Sequence, residues 1–239
     1  EKNMNCVFLS HKAGAELRSF LMELGKNLID IKETGCVYSE IADHPDIYVC
    51  LIDESLIASP EQYEHISSQI ANVPDRPRLI LGAKPLGMKY PESASYNAVQ
   101  AGRFLIHNTG FTDDSVLEAA GISGLKLINV AQGYANCSIA VVDERSIITS
   151  DMGIASVMRK NHPEIDVLTV SPGHVRLEGF EYGFLGGTSG RIDDYVIFNG
   201  NLEEHPDFFR IREFIESRSL KLKYFREYPL TDIGSIIGS

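Results

Sequence analysis

Cys137 and His44 are the residues of this sequence that could carry out nucleophilic chemistry. Cys137 stands in the polar run Tyr134-Ala135-Asn136-Cys137-Ser138. If the chain brings His44 opposite this thiol, the pair could lower the thiol pKa and form a nucleophile with its base. A cysteine buried in the core is the commoner situation for such a residue. Both interpretations remain open at the level of the sequence.

The tetrapeptide Asp43-His44-Pro45-Asp46 places two carboxylates and an imidazole within four residues. Pro45 restricts His44 to an extended backbone, which splays the neighbouring side chains apart. Carboxylates match the planar fork of a guanidinium group, so one hypothesis is a contact with a cation. The alternative is a polar turn in front of a strand at Ile47–Ile52.

The run Gly183-Phe184-Leu185-Gly186-Gly187-Thr188-Ser189-Gly190-Arg191 is the densest glycine segment of the chain. Its backbone amides could cradle an anion, with Arg191 as the countercharge. It is not a Walker loop, because a strand and not a helix is predicted to follow. Dense glycine also suits a close approach of two backbones, and we favour that interpretation. No HExxH, CxxC, EF-hand or GxSxG motif is present, so we predict no metal and no cofactor.

The composition narrows the class of partner. The chain has 239 residues and a formal net charge of −11. Such a surface repels phosphate backbones and anionic lipids, so we expect no nucleic acid and no membrane partner. It favours a neutral or cationic ligand, or a basic protein partner. The four cysteines are widely spaced, which is typical of reduced thiols, and no leader pattern opens the chain. We therefore expect a cytoplasmic protein.

A recurring unit organises these residues. Short β-prone runs flank each predicted helix, giving the order strand, turn, short strand, helix, strand. Several runs that precede a helix end on Asp53, Asn108, Asp143 or Asn199, residues that favour a tight turn between antiparallel strands. Apolar spacing and start signals predict five helices, at His11–Leu24, Pro60–Ile70, Thr112–Ala120, Asp151–Lys160 and Pro206–Arg218.

A tyrosine marks the end of each unit, and a polar, Gly-rich or Pro-rich stretch follows it. The markers are Tyr38, Tyr90, Tyr134, Tyr182 and Tyr228. The last unit stops just after its marker, and the first unit lacks a preceding one. A ring in which the N-terminal segment completes the last unit would satisfy both ends and cover open strand edges. The alternative is a doubly wound α/β sheet, but the units hold two or three strands per helix.

Five such units around a pseudo-fivefold axis resemble the pentein, or guanidine-modifying enzyme, fold. The segment GRFLIHNTGFTDDSVLEAAGISGLKLINVAQG is also similar to the repeating unit of translation initiation factor 6. The whole chain most resembles an uncharacterised bacterial family with this fold. The resemblance implies an α/β fold of five strand-strand-helix-strand units, an α/β propeller, in a single domain over residues 1–239.

The resemblance also implies where catalytic residues would lie. In the hydrolases of this fold a cysteine near the C-terminus attacks the guanidinium carbon and a histidine of the preceding unit moves protons. By alignment with their closing motif, Gly238 takes the position of that cysteine. The segment Gly183–Ser189 holds no histidine. We therefore expect no hydrolase activity of the familiar kind.

These observations lead to a prediction of a binding or interaction protein with a polar centre. Its ligand would be a small cationic, guanidine-like or multiply hydrogen-bonding molecule, and a protein partner is also possible. The alternative is a cysteine-dependent guanidine- or amidine-modifying hydrolase or transferase that uses Cys137 and His44. The residues expected to bind the ligand are Asp43, His44, Asp46, Asn97, Asn136, Glu181, Arg191 and Asp232.

Overall fold

The computed structural model describes residues 4–239, and it repeats one unit around a central axis. In each complete unit an inner strand forms an antiparallel hairpin with a middle strand. A helix then crosses over, and an outer strand pairs parallel to the middle one. This arrangement gives four three-stranded sheets and one two-stranded sheet within the described residues.

The elements of the first three sheets follow this order. The two-stranded sheet and its helix consist of β1 (Cys6–Leu9), α1 (Ala15–Glu23) and β2 (Asn27–Asp30). The next sheet and its helices consist of α2 (Pro45–Tyr48), β3 (Val49–Ile52), β4 (Ser55–Ala58), α3 (Pro60–Ile70) and β5 (Arg78–Leu81). The third consists of β6 (Val99–Ala101), β7 (Phe104–His107), α4 (Asp114–Ile122) and β8 (Lys126–Asn129).

Two further sheets complete the described chain. The first of them, with its helices, consists of α5 (Ala135–Ser138), β9 (Ile139–Asp143), β10 (Ser146–Thr149), α6 (Met152–Asn161) and β11 (Asp166–Thr169). The second consists of β12 (Ser189–Ile192), β13 (Tyr195–Phe198), α7 (Phe208–Glu216) and β14 (Lys221–Lys223).

All five predicted helices are present, and four of them have shifted ends. Pro60–Ile70 has the predicted bounds, whereas the first helix begins at Ala15 and not at His11. The chain before Ala15 forms a turn in which the Ala13 amide donates to the Ser10 carbonyl at 3.1 Å. The carboxylates of Asp113 and Asp151 cap α4 and α6 by accepting backbone N–H groups at 2.9 Å.

The predicted turn residues are correct for two hairpins and wrong for two. Asp53 and Asp143 lie in or next to the β3–β4 and β9–β10 turns. Asn108 and Asn199 instead follow middle strands and lead toward helices. The other hairpins turn at Gly102 and Asp193, where φ is 53° and 49°. The error arose because an inner and a middle strand are both short apolar runs, which periodicity does not distinguish.

The ends of the chain close the ring as predicted. The Phe8 amide donates to the Ile237 carbonyl at 2.8 Å, and the Ile237 amide donates back at 3.2 Å. The last residues thus form the inner strand that β1 and β2 lack. Lys26, with 3 % of its side chain exposed, donates to the Ser239 carbonyl at 2.8 Å and contacts Asp193 at 2.9 Å. A doubly wound open sheet is therefore excluded.

The inner strands line the axis, and apolar cores fill the space between sheets and helices. A narrow channel of about 130 Å³ runs between the inner strands and is lined by Leu51, Gln100, Val141 and Arg191, among others. Among residues 4–239, no helix is long and apolar enough to cross a bilayer. The segments that enter the inner strands come together at the end of the axis opposite the hairpin turns.

Candidate functional site

Each sheet contributes a short segment to one buried cluster at the head of its inner strand. Two of these segments, α2 and α5, are single helical turns, and the last two residues of α2 lie where the sequence predicted the start of the strand Ile47–Ile52. One turn is too short to show a helical period. The residues that reach the cluster from the five segments are Asp46, Asn97, Cys137, Gly186 and Ser235.

Asp46 is the centre of this cluster and is completely buried. Its Oδ2 accepts the Cys137 thiol at 3.0 Å and the Ser235 hydroxyl at 2.6 Å. Its Oδ1 has no hydrogen-bond partner among the described residues. Cys137 therefore lies against a potential base, but that base is Asp46 and not the predicted His44.

Asn97 fixes the thiol and the backbone around it. Its Nδ2 donates to the Asp46 carbonyl at 3.0 Å and to Cys137 Sγ at 3.2 Å. Its Oδ1 accepts the backbone amides of Asn136 at 2.8 Å and Cys137 at 3.2 Å. A side chain with four such bonds is saturated, so Asn97 positions its neighbours and has little capacity left for a ligand.

Burial sets the protonation states of the cluster. It raises the pKa of Asp46 to about 6, and the nearby Asp232 carboxylate adds to the effect. Burial, together with the Asp46 and Asp232 carboxylates, raises the pKa of the Cys137 thiol well above its usual value. The thiol is consequently protonated at neutral pH, whereas a cysteine nucleophile requires the thiolate.

Asp232 is held by backbone amides at the edge of the cluster. Its Oδ2 accepts from Phe184 at 2.9 Å, and its Oδ1 accepts from Gly234 at 3.0 Å. The His44 Nδ1 lies 3.8 Å from Oδ1. A Cβ atom on Gly187 would overlap the carboxylate. The glycine-rich run therefore allows close approach, as we favoured from the sequence, and it packs against an acid.

Asp43 is also buried, but it contacts Ser10 and Lys12 and not the cluster around Cys137. Its carboxylate accepts from the Ser10 hydroxyl and, at 2.9 Å, from Lys12 Nζ. Burial opposes ionisation, but the hydrogen bonds from Ser10 and Lys12 keep the pKa of Asp43 below its ordinary value. Asp43 is thus a paired anion, in contrast with Asp46.

An aromatic cavity of about 540 Å³ opens over the cluster. Four of the five tyrosines that mark the sequence units line it, and the fifth, Tyr228, lies against Gly14 elsewhere. His44, Cys137 and Asp232 line it as well. We call these three residues its floor. The remaining wall, which we call the aromatic wall, consists of Tyr38, Ile41, Ile47, Tyr90, Tyr134, Leu177, Phe180, Tyr182 and Phe184.

The rings of the aromatic wall are held at fixed angles and remain open to solvent. The Tyr90 and Tyr134 centroids are 5.5 Å apart with planes inclined at 51°, and Phe111 packs edge-on behind Tyr90. The Tyr134 hydroxyl is 2.6 Å from the Ser93 hydroxyl. Tyr90, Phe180 and Tyr182 are 44, 50 and 41 % exposed. Exposed aromatic residues grouped around one cavity are typical of a binding surface.

A second cavity, of about 580 Å³, adjoins the first. It shares His44, Leu177 and Asp232 with the aromatic cavity. Its other lining residues are mostly polar and include Lys12, Glu40, Asp43 and Glu178. A ligand in the aromatic cavity could therefore extend a polar tail across the shared residues.

The structure brings most of the predicted site residues together. His44, Asp46, Asn97 and Asp232 gather around Cys137, and the backbone amide of Asn136 joins them. Asn136 is also one of the residues that line the axial channel.

Two of the predicted residues lie elsewhere. Glu181 is exposed to solvent. Arg191 lies along the axial channel and at its opposite mouth, and its Nε is buried with no partner among the described residues. Neither residue lines the aromatic cavity or its polar neighbour.

The sequence analysis missed Ser235 and the role of the aromatic wall. Ser235 directly precedes the last inner strand, so aligning the five units would have placed it in the cluster. Gly238, which the resemblance put in the nucleophile position, instead packs against Val7 and Ile192. Within residues 4–239 no group of three histidine, cysteine or acidic residues has an arrangement that could hold a metal ion.

Comparisons with known proteins support the fold. A family model described as "Family of unknown function (DUF6873)" matches residues 8–237. No curated protein matches the chain. The structure is similar to SxtG, an amidinotransferase from Microseira wollei in the saxitoxin biosynthetic pathway, with a TM-score of 0.57 and 11 % identity. That match covers 94 % of this chain and 89 % of the other.

Two further solved structures share the architecture. DDAH from Pseudomonas aeruginosa, complexed with citrulline, has a TM-score of 0.55 at 10 % identity. The match covers 93 % of this chain and 92 % of the DDAH chain. Agmatine deiminase of C. jejuni has a TM-score of 0.52 at 10 % identity, with 96 % and 92 % covered. All three are pentein-fold proteins, which confirms the fold expected from the sequence.

Proposed function

The chain belongs to the family DUF6873, a family of unknown function, and we propose that it binds a small organic cation in the aromatic cavity. The observation that carries this proposal is the aromatic wall itself, with tyrosines from four successive units around a floor that holds a carboxylate. A cation within about 6 Å of a ring centroid is attracted by the negative face of the ring.

The charges around the cavity favour a cation. Asp232 lies in the floor, and Asp46 lies directly beneath it against Cys137. The chain as a whole carries a formal charge of −11, which draws cations toward such an opening. An anionic ligand would meet these carboxylates in a poorly hydrated site. This proposal keeps the expectation of a cationic ligand and moves the binding surface from the polar residues to the aromatic ones.

The proposed role is binding without chemistry. The structural neighbours named above include an amidinotransferase and an agmatine deiminase, but at about 10 % identity they inform the fold alone. The thiol nearest the cavity, Cys137, is buried beside two carboxylates that keep it protonated. The four free cysteines also fit the cytoplasmic location expected from the sequence.

A cysteine-dependent enzyme remains the second candidate because of one distance. The Cys137 thiol is 3.0 Å from Asp46 Oδ2, within reach of a base. If a bound cation offset the charge of Asp232, the thiolate left after proton transfer to Asp46 would be less disfavoured. Such an enzyme would release ammonia from a guanidine, and the release would disappear in Cys137→Ala.

Calorimetry with four small molecules tests the binding role. They share a 2-hydroxyethyl tail and end in trimethylammonium (choline), guanidinium, primary ammonium or the neutral tert-butyl group of 3,3-dimethylbutan-1-ol. We expect at least one cation to bind about tenfold more tightly than the neutral molecule, because only the cations gain from the rings and Asp232. The same mixtures, assayed for ammonia, test the second candidate.

Variants of the aromatic wall provide the control. Tyr90→Leu/Tyr182→Leu removes two rings that are almost half exposed, so little buried packing is lost. It should weaken binding of the cation by about tenfold or more. Phe209→Leu, which changes an aromatic residue that is 77 % exposed on α7, should leave binding unchanged. Equal affinity for all four molecules, or equal effects of the two variants, would refute the proposal.

A further inference from the structure

The floor of the aromatic cavity has few free hydrogen-bond acceptors. Each oxygen of Asp232 already accepts one backbone amide, from Phe184 or from Gly234, which leaves about two of its four lone-pair sites for a ligand. Cys137 Sγ donates its proton to Asp46 and accepts from Asn97. A ligand with many N–H groups would therefore find few partners at the floor.

The aromatic wall does not make up for this shortage. A cation bound by aromatic rings lies over their faces, whereas a tyrosine hydroxyl accepts hydrogen bonds in the plane of its ring. The Tyr134 hydroxyl is, in addition, already paired with Ser93. The other wall residues are Phe180, Phe184 and aliphatic side chains, together with the tyrosines Tyr38, Tyr90 and Tyr182.

Cations differ greatly in the number of donors that must be satisfied. A guanidinium group carries up to five N–H donors, and a primary ammonium group carries three. Each donor that enters the cavity without an acceptor gives up a hydrogen bond to water. A quaternary ammonium group has no N–H donor and loses none. Its methyl groups also make favourable contact with aromatic faces.

We infer that the aromatic cavity selects a quaternary ammonium group over a guanidinium or a primary ammonium group. This inference rests on the proposed function, and it separates the chain from a role in binding guanidines. The inclined Tyr90 and Tyr134 rings form one corner around the methyl groups. The polar cavity next to it receives the tail across His44, Leu177 and Asp232.

The four-molecule calorimetric panel distinguishes this inference from the proposed function. Choline should bind about tenfold or more tightly than 2-hydroxyethylguanidinium and ethanolamine. The guanidinium and primary ammonium groups bring N–H donors that find too few acceptors in the cavity, whereas the trimethylammonium group has no N–H donor. Equal binding of the guanidinium ion, or preference for it, would overturn the selectivity while leaving cation binding intact. Absence of binding by every cation would overturn both.

A variant that supplies an acceptor gives a second readout. Leu177 lies between the two cavities, so Leu177→Gln places an amide oxygen within reach of the bound group. We expect it to narrow the preference for choline over the guanidinium ion by about tenfold, mainly by improving guanidinium binding. Leu81→Gln, on the exposed side of β5, is the matched control and should leave the ratio unchanged. An unchanged ratio in a folded Leu177→Gln protein would contradict the inference.

Discussion

At the scale of the residue, Asp46 shows how the fold changes the properties of an ordinary side chain. Nothing in the tetrapeptide Asp43-His44-Pro45-Asp46 distinguishes its two carboxylates, yet the fold shifts their pKa values in opposite directions. Asp43 meets Lys12 and Ser10, which favour its charged form. Asp46 accepts from a thiol and a hydroxyl, but it is completely buried, and burial outweighs those hydrogen bonds and favours its neutral form.

The raised pKa of Asp46 predicts a pH-dependent stability. The carboxyl ionises near pH 3.8 in the unfolded chain and near pH 6 in the folded protein. Between these values the folded state holds a proton that the unfolded state releases, so the free energy of unfolding falls as pH rises. The loss is complete just above pH 6 and amounts to roughly 3 kcal/mol. Urea unfolding of wild type and Asp46→Asn between pH 4 and 8 measures it.

The difference in unfolding free energy, variant minus wild type, should rise by most of that amount from pH 4 to just above pH 6 and then level off. Asp207→Asn is the contrasting variant. Burial is the largest single influence and raises the pKa of Asp207, but the hydrogen bonds from Ser171 and Arg210 together outweigh it and lower the pKa to about 2. Its carboxylate thus loses a stabilising effect as pH falls from about 4 to 2. A flat difference for Asp46→Asn would show that the buried carboxyl titrates as it does in water.

At the scale of the element, the short segments that enter the inner strands determine the site. Local sequence indicated the helices of three turns, because three turns suffice to display an apolar stripe. It did not indicate α2 or α5, which are single turns stabilised by contacts with other units. The Asp46 amide, for example, donates to the Gly234 carbonyl at 3.1 Å.

The lack of space around Gly186 shows how tightly these segments pack. A Cβ atom at this position would lie 2.5 Å from the Cys137 carbonyl oxygen and 2.5 Å from the Ile139 nitrogen. Both are backbone atoms, which cannot rotate away. We expect Gly186→Ala to lower the free energy of unfolding by about 3 kcal/mol or more, measured by urea denaturation.

Gly121→Ala is the matched control for this substitution. Gly121 lies in α4 with open space around its Cβ position, so alanine should stabilise the protein by up to about 1 kcal/mol. The two variants are therefore expected to have effects of opposite sign. A Gly186→Ala protein as stable as wild type would mean that α5 and the glycine run are not in close contact.

At the scale of the whole molecule, closure of the ring joins the two ends of the chain. The segment that ends at Ser239 covers the edge of β1, which would otherwise expose unpaired backbone groups. Ile236 and Ile237 are 3 and 6 % exposed, so the closing strand is also part of the core.

Removal of residues 236–239 tests the contribution of closure. The truncated protein should lose roughly 3–5 kcal/mol, because two isoleucines leave the core and β1 loses its partner. Hydrogen exchange should show lost protection at the Phe8 amide, which donates to Ile237, and unchanged protection at Ile148 in β10. Unchanged protection at Phe8 would show that the ends do not close the ring.

The sequence by itself determined the repeating order of strands and helices, the five units and the closure of the ring. These features follow from local apolar patterns and from the need to cover open strand edges, and both can be recognised in one sequence. It also identified the marker tyrosines, but only as boundaries between units. Four of these tyrosines meet around one cavity because the units are arranged around a common axis. No short segment of the sequence encodes that arrangement.

Only the tertiary structure decided which polar groups meet. Ser235 and Asp46 are 189 residues apart and hydrogen-bonded, whereas Glu181, one residue from the wall residue Tyr182, faces solvent. Proximity of this kind arises from packing between units and not from spacing along the chain. Packing also determines the state of Cys137, because burial beside carboxylates raises its pKa, whereas one of the two interpretations left open by the sequence had His44 lowering it.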